Sequence, residues 1–479
     1  MMRGMKRLSP GSAVAVAAVA IAACGGKESD PGKGAPGSAG SAAAPAPPAR
    51  VAPADAAYVV LRDKGGLVAI ENGAFRTVVE DKYVGDRLMP RKDGGLWVYL
   101  DDRIARYTGE LAPVLDAPPK QSAVAVGPDG TLWVSGEGLA SYDGTAWKTH
   151  TLPGNAKRQF VSSMVFGADG TRYGYAGNGL VIGRGDTWTL LETDNRPVAG
   201  VAAAGDGTIY VSTRDQLGKL ADDKLVPVAA VKGESLRLRT SPDGTVHAFG
   251  INGSHRIAAG KLEPLAKLPF TTGQTFGADG TLYGIPLHGM RIVRRRADGA
   301  VDKLPTDKDL PFQAKSITVD ARNRLWLVLE YGMALLDGDK LTLLTPGTVP
   351  ELSRNVDAIV VTGKGPDLPD VGPPKLINLK GTFVAKDKPK PGVKLEICPQ
   401  VSGVFYGSSP CEGKGFVRRA TSSPDGSFTV SDVPLGGWHI VYKKSADSWV
   451  FYFPPGCCGG LAKGATFDMG NIEFGKSSK

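Results

Sequence analysis

Long apolar runs are scarce in this chain of 479 residues. The run Ala13 to Ala23 is too short for the ~20 apolar residues of a membrane-spanning helix, and no other segment is long and apolar enough, so no transmembrane helix is expected. Histidine is scarce too: His150, His247, His255, His288 and His439 are all there are. None falls in an HExxH pattern and no GxSxG elbow occurs, which removes the commonest zinc-hydrolase and serine-hydrolase signatures. The cysteines lack CxxC or nearby-histidine spacing, so neither a metal nor another cofactor is expected. Basic residues are not interleaved with aromatics, so no nucleic-acid partner is expected. Gly32-Lys33-Gly34-Ala35-Pro36-Gly37 matches GxGxxG, but without a strand before it or a helix after it the match is an accident of composition.

What is present is a repeat. An aromatic residue, or once a histidine, returns at Tyr58, Trp97, Trp133, Tyr173, Tyr210, His247, Tyr283 and Trp326, at intervals of 36 to 43 residues. Around these positions the text recurs as AVAVGPDGTLWVSG, MVFGADGTRYGYAG, VAAAGDGTIYVST, LRTSPDGTVHAFG and TFGADGTLYGIP. A period in this range means stacked or circular repeats. Each unit holds four strands. Between Ser122 and Pro153 they are Ala123 to Gly127, Thr131 to Ser135, Gly138 to Tyr142 and Trp147 to Leu152, with Asp129-Gly130 as the first hairpin turn. First strands made of Ala, Val and Gly suit an innermost position around a crowded axis, which favours a β-propeller over an open solenoid.

The ends of the repeat predict how the ring closes. Ala56 to Val60 begins the first unit without an inner strand, whereas Val356 to Val361 reads as an inner strand with only Pro-rich text after it. The late strand is therefore expected to complete the first blade, which removes exposed edges. This gives an all-β chain with an eight-bladed β-propeller over residues 54–364, seven blades being the alternative, followed by a small β-sandwich. The blade text resembles the propeller repeats in sensor regions of bacterial two-component regulators, where a DG-x-LW-hydrophobic core precedes a glycine-led third strand. It is also similar, more weakly, to the repeat of streptogramin lyase, an enzyme. The resemblance covers about 310 residues and specifies architecture rather than activity. Ala321-Arg322-Asn323-Arg324-Leu325-Trp326 departs from it by placing Asn where the other turns have Gly, a residue that tolerates positive φ.

The N-terminus carries the signs of export. Arg3, Lys6 and Arg7 precede the apolar run, and Ile21-Ala22-Ala23-Cys24 follows, so residues 1–23 read as a signal peptide. IAAC resembles the bacterial lipobox, which implies cleavage before Cys24, lipidation of that residue and a membrane partner through the lipid. Residues 24–53, mostly Gly, Ala, Ser and Pro with a few charges, form an expected flexible tether. The resemblance implies a cell-envelope location. Gly25 lacks the Asp of inner-membrane retention, so the outer membrane is implied if the cell has two, with the chain facing the periplasm or the surface.

After a Pro-rich linker at 365–374, residues 375–479 form a separate domain. Gly381 to Ala385, Pro391 to Ile397, Asp425 to Val430 and Trp438 to Tyr442 read as strands. Their PGVxL and DGxFxxxxVPxG segments resemble the carboxypeptidase regulatory-like domain, a transthyretin-type sandwich that is not catalytic in the peptidases that carry it. The net charge of +9 resolves into +3 in the first 23 residues, +6 in the last 105 and none between. The basic excess of the sandwich reads as a solvated lysine-rich surface. Cys398, Cys411, Cys457 and Cys458 all lie in this domain, and their even number in an oxidising compartment predicts two disulfides. Three pairings are open: a vicinal Cys457–Cys458 bridge, or either arrangement that joins each of these two to Cys398 or Cys411. The latter close larger loops and are the preferred expectation.

Glu137, Asn178, Arg214, His255, His288 and Glu330 fall at equivalent turns between second and third strands and are the candidate ligand rim, since such turns share a face with the connections between blades. His247, in the aromatic slot, reads as a packing residue. The function expected is a non-catalytic, lipid-anchored binding protein with a protein or glycan partner. The alternative is an extracytoplasmic lyase or hydrolase using a rim pair such as His288 with Glu330.

Overall fold

The Asp-Gly turns fold by one repeated piece of chemistry. In the computed structural model, Asp169 Oδ1 accepts the amide N–H of Thr171 at 2.9 Å while Gly170 takes φ 79°. The same bond joins Asp129 to Thr131, Asp206 to Thr208, Asp243 to Thr245 and Asp279 to Thr281. Such a carboxylate mimics a backbone turn and leaves the strands on either side antiparallel. Asn323 takes the glycine's place with φ 61°, as its side chain permits, and its Oδ1 accepts the Ala278 N–H of the preceding turn at 3.0 Å. The structure describes residues 51–475 apart from short stretches, the longest being 155–159, 399–408 and 453–463. The signal segment, Cys24 and nearly all of the tether lie outside the described residues.

These turns generate eight four-stranded antiparallel sheets among the described residues from Ala56 to Thr362. They are numbered here in chain order from the one containing Ala56–Leu61. In sheets two to eight the strands follow in sequence from the axis outward, as in Ser122–Val126, Leu132–Ser135, Leu139–Tyr142 and Trp147–His150 of sheet three. Sheet one is built from both ends of the repeat: Val356–Thr362 pairs antiparallel with Ala56–Leu61, placing Val360 opposite Tyr58. Val356–Thr362 also contacts the innermost strands of sheets two and eight, so the chain forms a closed β-propeller.

The core lies between successive sheets because side chains alternate along each strand. Tyr58 and Val60 pack with Leu96, Val98 and Tyr107 of sheet two. Ala57 and Val59, pointing the other way, pack with Trp326, Val328 and Leu335 of sheet eight. Burying each such side chain is worth about 1.5–3 kcal/mol, so the aromatic repeat is mainly a packing device.

The last turn is rebuilt where the ring closes. Asp320 stands where the equivalent turns have Gly127, Gly167, Ser241 and Gly277. Its carboxylate accepts from Arg324 Nε at 2.8 Å, from Trp326 Nε1 at 3.0 Å and from the amides of Arg322 and Arg324. Arg324 in turn donates to the carbonyls of Lys364 and Pro366, just past the closing strand. The Asp320 side chain is fully buried and that of Arg324 nearly so, and a buried pair of this kind needs all of these partners.

Residues 376–473 form two further sheets. Leu376–Ala385 lies between Ser427–Pro434 and a parallel partner, Thr466–Glu473, and also pairs with Lys388–Pro389. The other sheet runs Arg418–Thr421, Lys394–Cys398, His439–Ser445, Ser448–Tyr452. Leu379, Phe383, Leu395, Phe428, Ile440 and Tyr442 fill the space between them. The preferred cysteine pairing is corrected: Cys398 is bonded to Cys411, with Cα atoms 5.7 Å apart. Cys398, at the end of its strand, and Cys411 both pack on Val441, so proximity rather than loop length decides the partner. Cys457 and Cys458 lie outside the described residues.

Candidate ligand channel

The candidate rim residues do not form one constellation. Arg214 is exposed in the turn between Ile209–Thr213 and Gln216–Ala221 of sheet five. Glu330 follows Leu325–Leu329 in sheet eight, half-buried, and its amide donates to the Gln313 carbonyl at 2.9 Å. Burial pushes the Glu330 carboxyl up, partly opposed by Lys315. The two stand three sheets apart, and no hydrogen bond or ion pair joins them. Glu137, Asn178 and His288 lie outside the described residues. His255 is a correction: it belongs to the strand Gly253–Ala258, opposite Ala248 and Pro264, and not to the turn. Gly250 pairs with Gly253, so the hairpin is only two residues long and Ile251-Asn252 occupies the tip. Exposed Ile251, rather than a histidine, therefore stands on that rim.

The axis offers a better site. A cavity of about 500 Å3 is walled by the innermost strands Val161–Phe166, Val198–Ala203, Arg237–Thr240 and Thr271–Phe276 of sheets four to seven. Ser163, Val165, Ala202, Arg239, Thr240 and Thr275 are among its lining residues. A smaller cavity of about 290 Å3 lies beside it, lined by Ser235, Arg237, Ile251, Thr272 and Gln274. Arg237 and Arg239 are two residues apart and so share one face of their strand. Arg237 donates to the Thr272 carbonyl at 3.1 Å, whereas no hydrogen bond or ion pair from another described residue engages the Arg239 guanidinium. Arg239 is exposed to the cavity that it lines. Partial desolvation there, and then the like charge of Arg237, lowers its proton affinity from the ordinary arginine value.

The register shows how unusual Arg239 is. Facing the aromatic slots across the first ladder are Met89, Ala125, Val165, Ala202, Thr275, Thr318 and Val360. At the remaining slot Arg239 faces His247. That histidine is buried, lies 4.8 Å from Phe276 between ring centroids, and is held at a pKa of about 4, chiefly by burial. Reading the aromatic repeat alone missed the arginine. The signal was the text Leu236-Arg237-Leu238-Arg239, which breaks the rule of small residues on innermost strands.

No family model matches the chain, and no curated protein does. Solved structures similar to it include a streptogramin B lyase, at 20% identity over 48% of this chain and 85% of that one, with a TM-score of 0.38. The extracellular domain of a putative one component system from B. thetaiotaomicron is 13% identical over 61% of this chain and 53% of that one, with a TM-score of 0.36. Dihydro-heme d1 dehydrogenase NirN is 13% identical over 66% of this chain and 75% of that one, with a TM-score of 0.47. These are likenesses of fold alone.

Proposed function

We propose that this chain is a lipid-anchored extracytoplasmic binding protein without catalytic activity. In this reading Cys24 carries the lipid, residues 24–53 hold the domain off the membrane, and the propeller over 54–364 receives the partner, a protein or a glycan. The sandwich over 375–479, beyond the linker, is an accessory module of the carboxypeptidase regulatory-like type. The observation that carries the reading is the axial cavity of sheets four to seven, a concave site with one unengaged arginine. The lipobox text supports an envelope location, at the outer membrane in a cell with two. An enzyme is the second reading, because the raised Glu330 carboxyl is the kind of group that serves as a general acid.

In-cell crosslinking of the full chain, followed by identification of attached molecules, tests the proposal. The wild-type chain should fractionate with membranes and recover one recurring partner, while Cys24→Ser becomes soluble. A wild-type chain that is soluble, or that yields no partner while turning over a lactone or ester in a Glu330-dependent way, would replace this reading with the enzymatic one.

A further inference from the structure

We propose that the axial cavity is an oxyanion site, in which Arg239 receives the carboxylate or phosphate group of a small ligand. The inference deepens the reading of the propeller as a binding module and rests on it. The repeat supplies the first argument. Seven sheets place an apolar residue or threonine at the position where sheet six has Arg239, so the fold does not require a charge there. Electrostatics supplies the second. Arg237 and Arg239 bring two positive charges to one short strand, and no carboxylate of a described residue engages Arg239. A cavity lined by an arginine with no engaging carboxylate favours an anion, which supplies the missing partner.

Chemistry and size supply the third. A planar guanidinium presents paired N–H donors that match the two oxygens of a carboxylate or phosphate. Thr275, from the neighbouring sheet, and Ser163 line the same cavity, and a Ser or Thr hydroxyl is a donor suited to further oxygens. The volume of about 500 Å3 falls within the ~300–1,000 Å3 range of small-molecule sites. With Val165, Ala202 and Phe276 in the same wall, the site suits an anionic head on a short carbon skeleton.

Isothermal titration of the full chain at low ionic strength, with inorganic phosphate in one arm and succinate in the other, tests this. At least one probe should bind saturably. Binding to phosphate alone would identify a phosphate ligand, and binding to succinate alone a carboxylate. Arg239→Ala should weaken the bound probe at least about tenfold, in line with the loss of a charge-assisted hydrogen bond. Arg239→Lys should retain part of the affinity, and Arg184→Ala, in an exposed pair with Asp223, should match wild type. Arg239→Gln, which keeps most of the side-chain volume, guards against a folding defect and should behave as Arg239→Ala does. No saturable binding by wild type, or equal binding by Arg239→Ala and Arg239→Gln, overturns the inference. Retention of the crosslinked partner in those cases would show that only the oxyanion site has failed, whereas loss of the partner from wild type removes the underlying reading.

Discussion

Arg239 stands directly opposite His247 across the first ladder of sheet six, the one pairing of a charged inner residue with a slot that is elsewhere Tyr or Trp. Side chains paired this way share a face, and such pairs contribute roughly 0.2–1 kcal/mol. A larger ring at the slot would crowd the arginine, whereas Tyr283 already sits opposite Thr275 in sheet seven. His247→Tyr should therefore destabilise the wild-type background and be neutral or stabilising beside Arg239→Thr. Denaturation of the four chains of that cycle gives the coupling. An equal effect of His247→Tyr in both backgrounds would show that the two positions are independent.

A buried ion pair, Asp320 with Arg324, braces the chain just past the closing strand. Asp320→Ala would leave Arg324 buried without its carboxylate and Trp326 Nε1 without its acceptor, at an expected cost of about 3–5 kcal/mol. Replacing both charges, with Asp320→Asn and Arg324→Met, should cost less than the sum of the single changes. Urea unfolding measures both effects; a single-variant loss below about 1 kcal/mol would contradict the latch.

Asn323 serves two roles that two substitutions separate. Asn323→Gly keeps the positive φ and loses only the bond from Ala278, for about 0.5–1.5 kcal/mol. Asn323→Ala loses the bond and adds strain of about 1–2 kcal/mol in the left-handed region. Thermal unfolding should rank wild type above Gly and Gly above Ala, and the reverse order of the two variants would refute the assignment.

Acid should destabilise the fold before its carboxylates titrate. His150, His247 and His439 are each held at a pKa of about 4, in every case chiefly by burial. Around His150, Arg172 and Lys148 add to the depression and Asp186 opposes it. Because the folded values lie below the unfolded value of ~6.5, the unfolded chain takes up protons first as pH falls. The stabilisation from neutral histidines is complete above ~6.5 and is lost as pH falls towards about 4. A melting temperature that stays level through this window would exclude the mechanism.

The Cys398–Cys411 bond closes a short loop, with a sequence separation of 13. Cross-linking a loop of this length contributes about 3 kcal/mol in the chain-entropy model. Cys411→Ser should lower the stability of the C-terminal region by that order, and non-reducing digestion of wild type should yield the 398–411 cross-linked peptide. Peptides joining Cys398 to Cys457 or Cys458 instead would refute the pairing.

Sequence alone determined the propeller, because its signals are local and repeated. An Asp-Gly-Thr turn carries its own hydrogen bonds, small residues mark the crowded axis, and alternation sets which side chains enter the core. The closing strand was legible for the same reason: Val356–Thr362 reads as an inner strand that lacks a blade. Other features depend on where distant segments meet. Thr466–Glu473 completes a sheet by parallel pairing with the distant strand Leu376–Ala385, and short-range patterning cannot register such a partner. His255 was expected at a turn that the pairing of Gly250 with Gly253 confines to Ile251-Asn252, and it lies within the following strand. Cys398 is bonded to Cys411 because the two meet in space against Val441. The channel belongs to the same class. In the text Arg239 is only a break in the small-residue rule of innermost strands, and it is the ring that sets it beside strands of three other sheets in one cavity, because the residues that share that lining are distant in sequence.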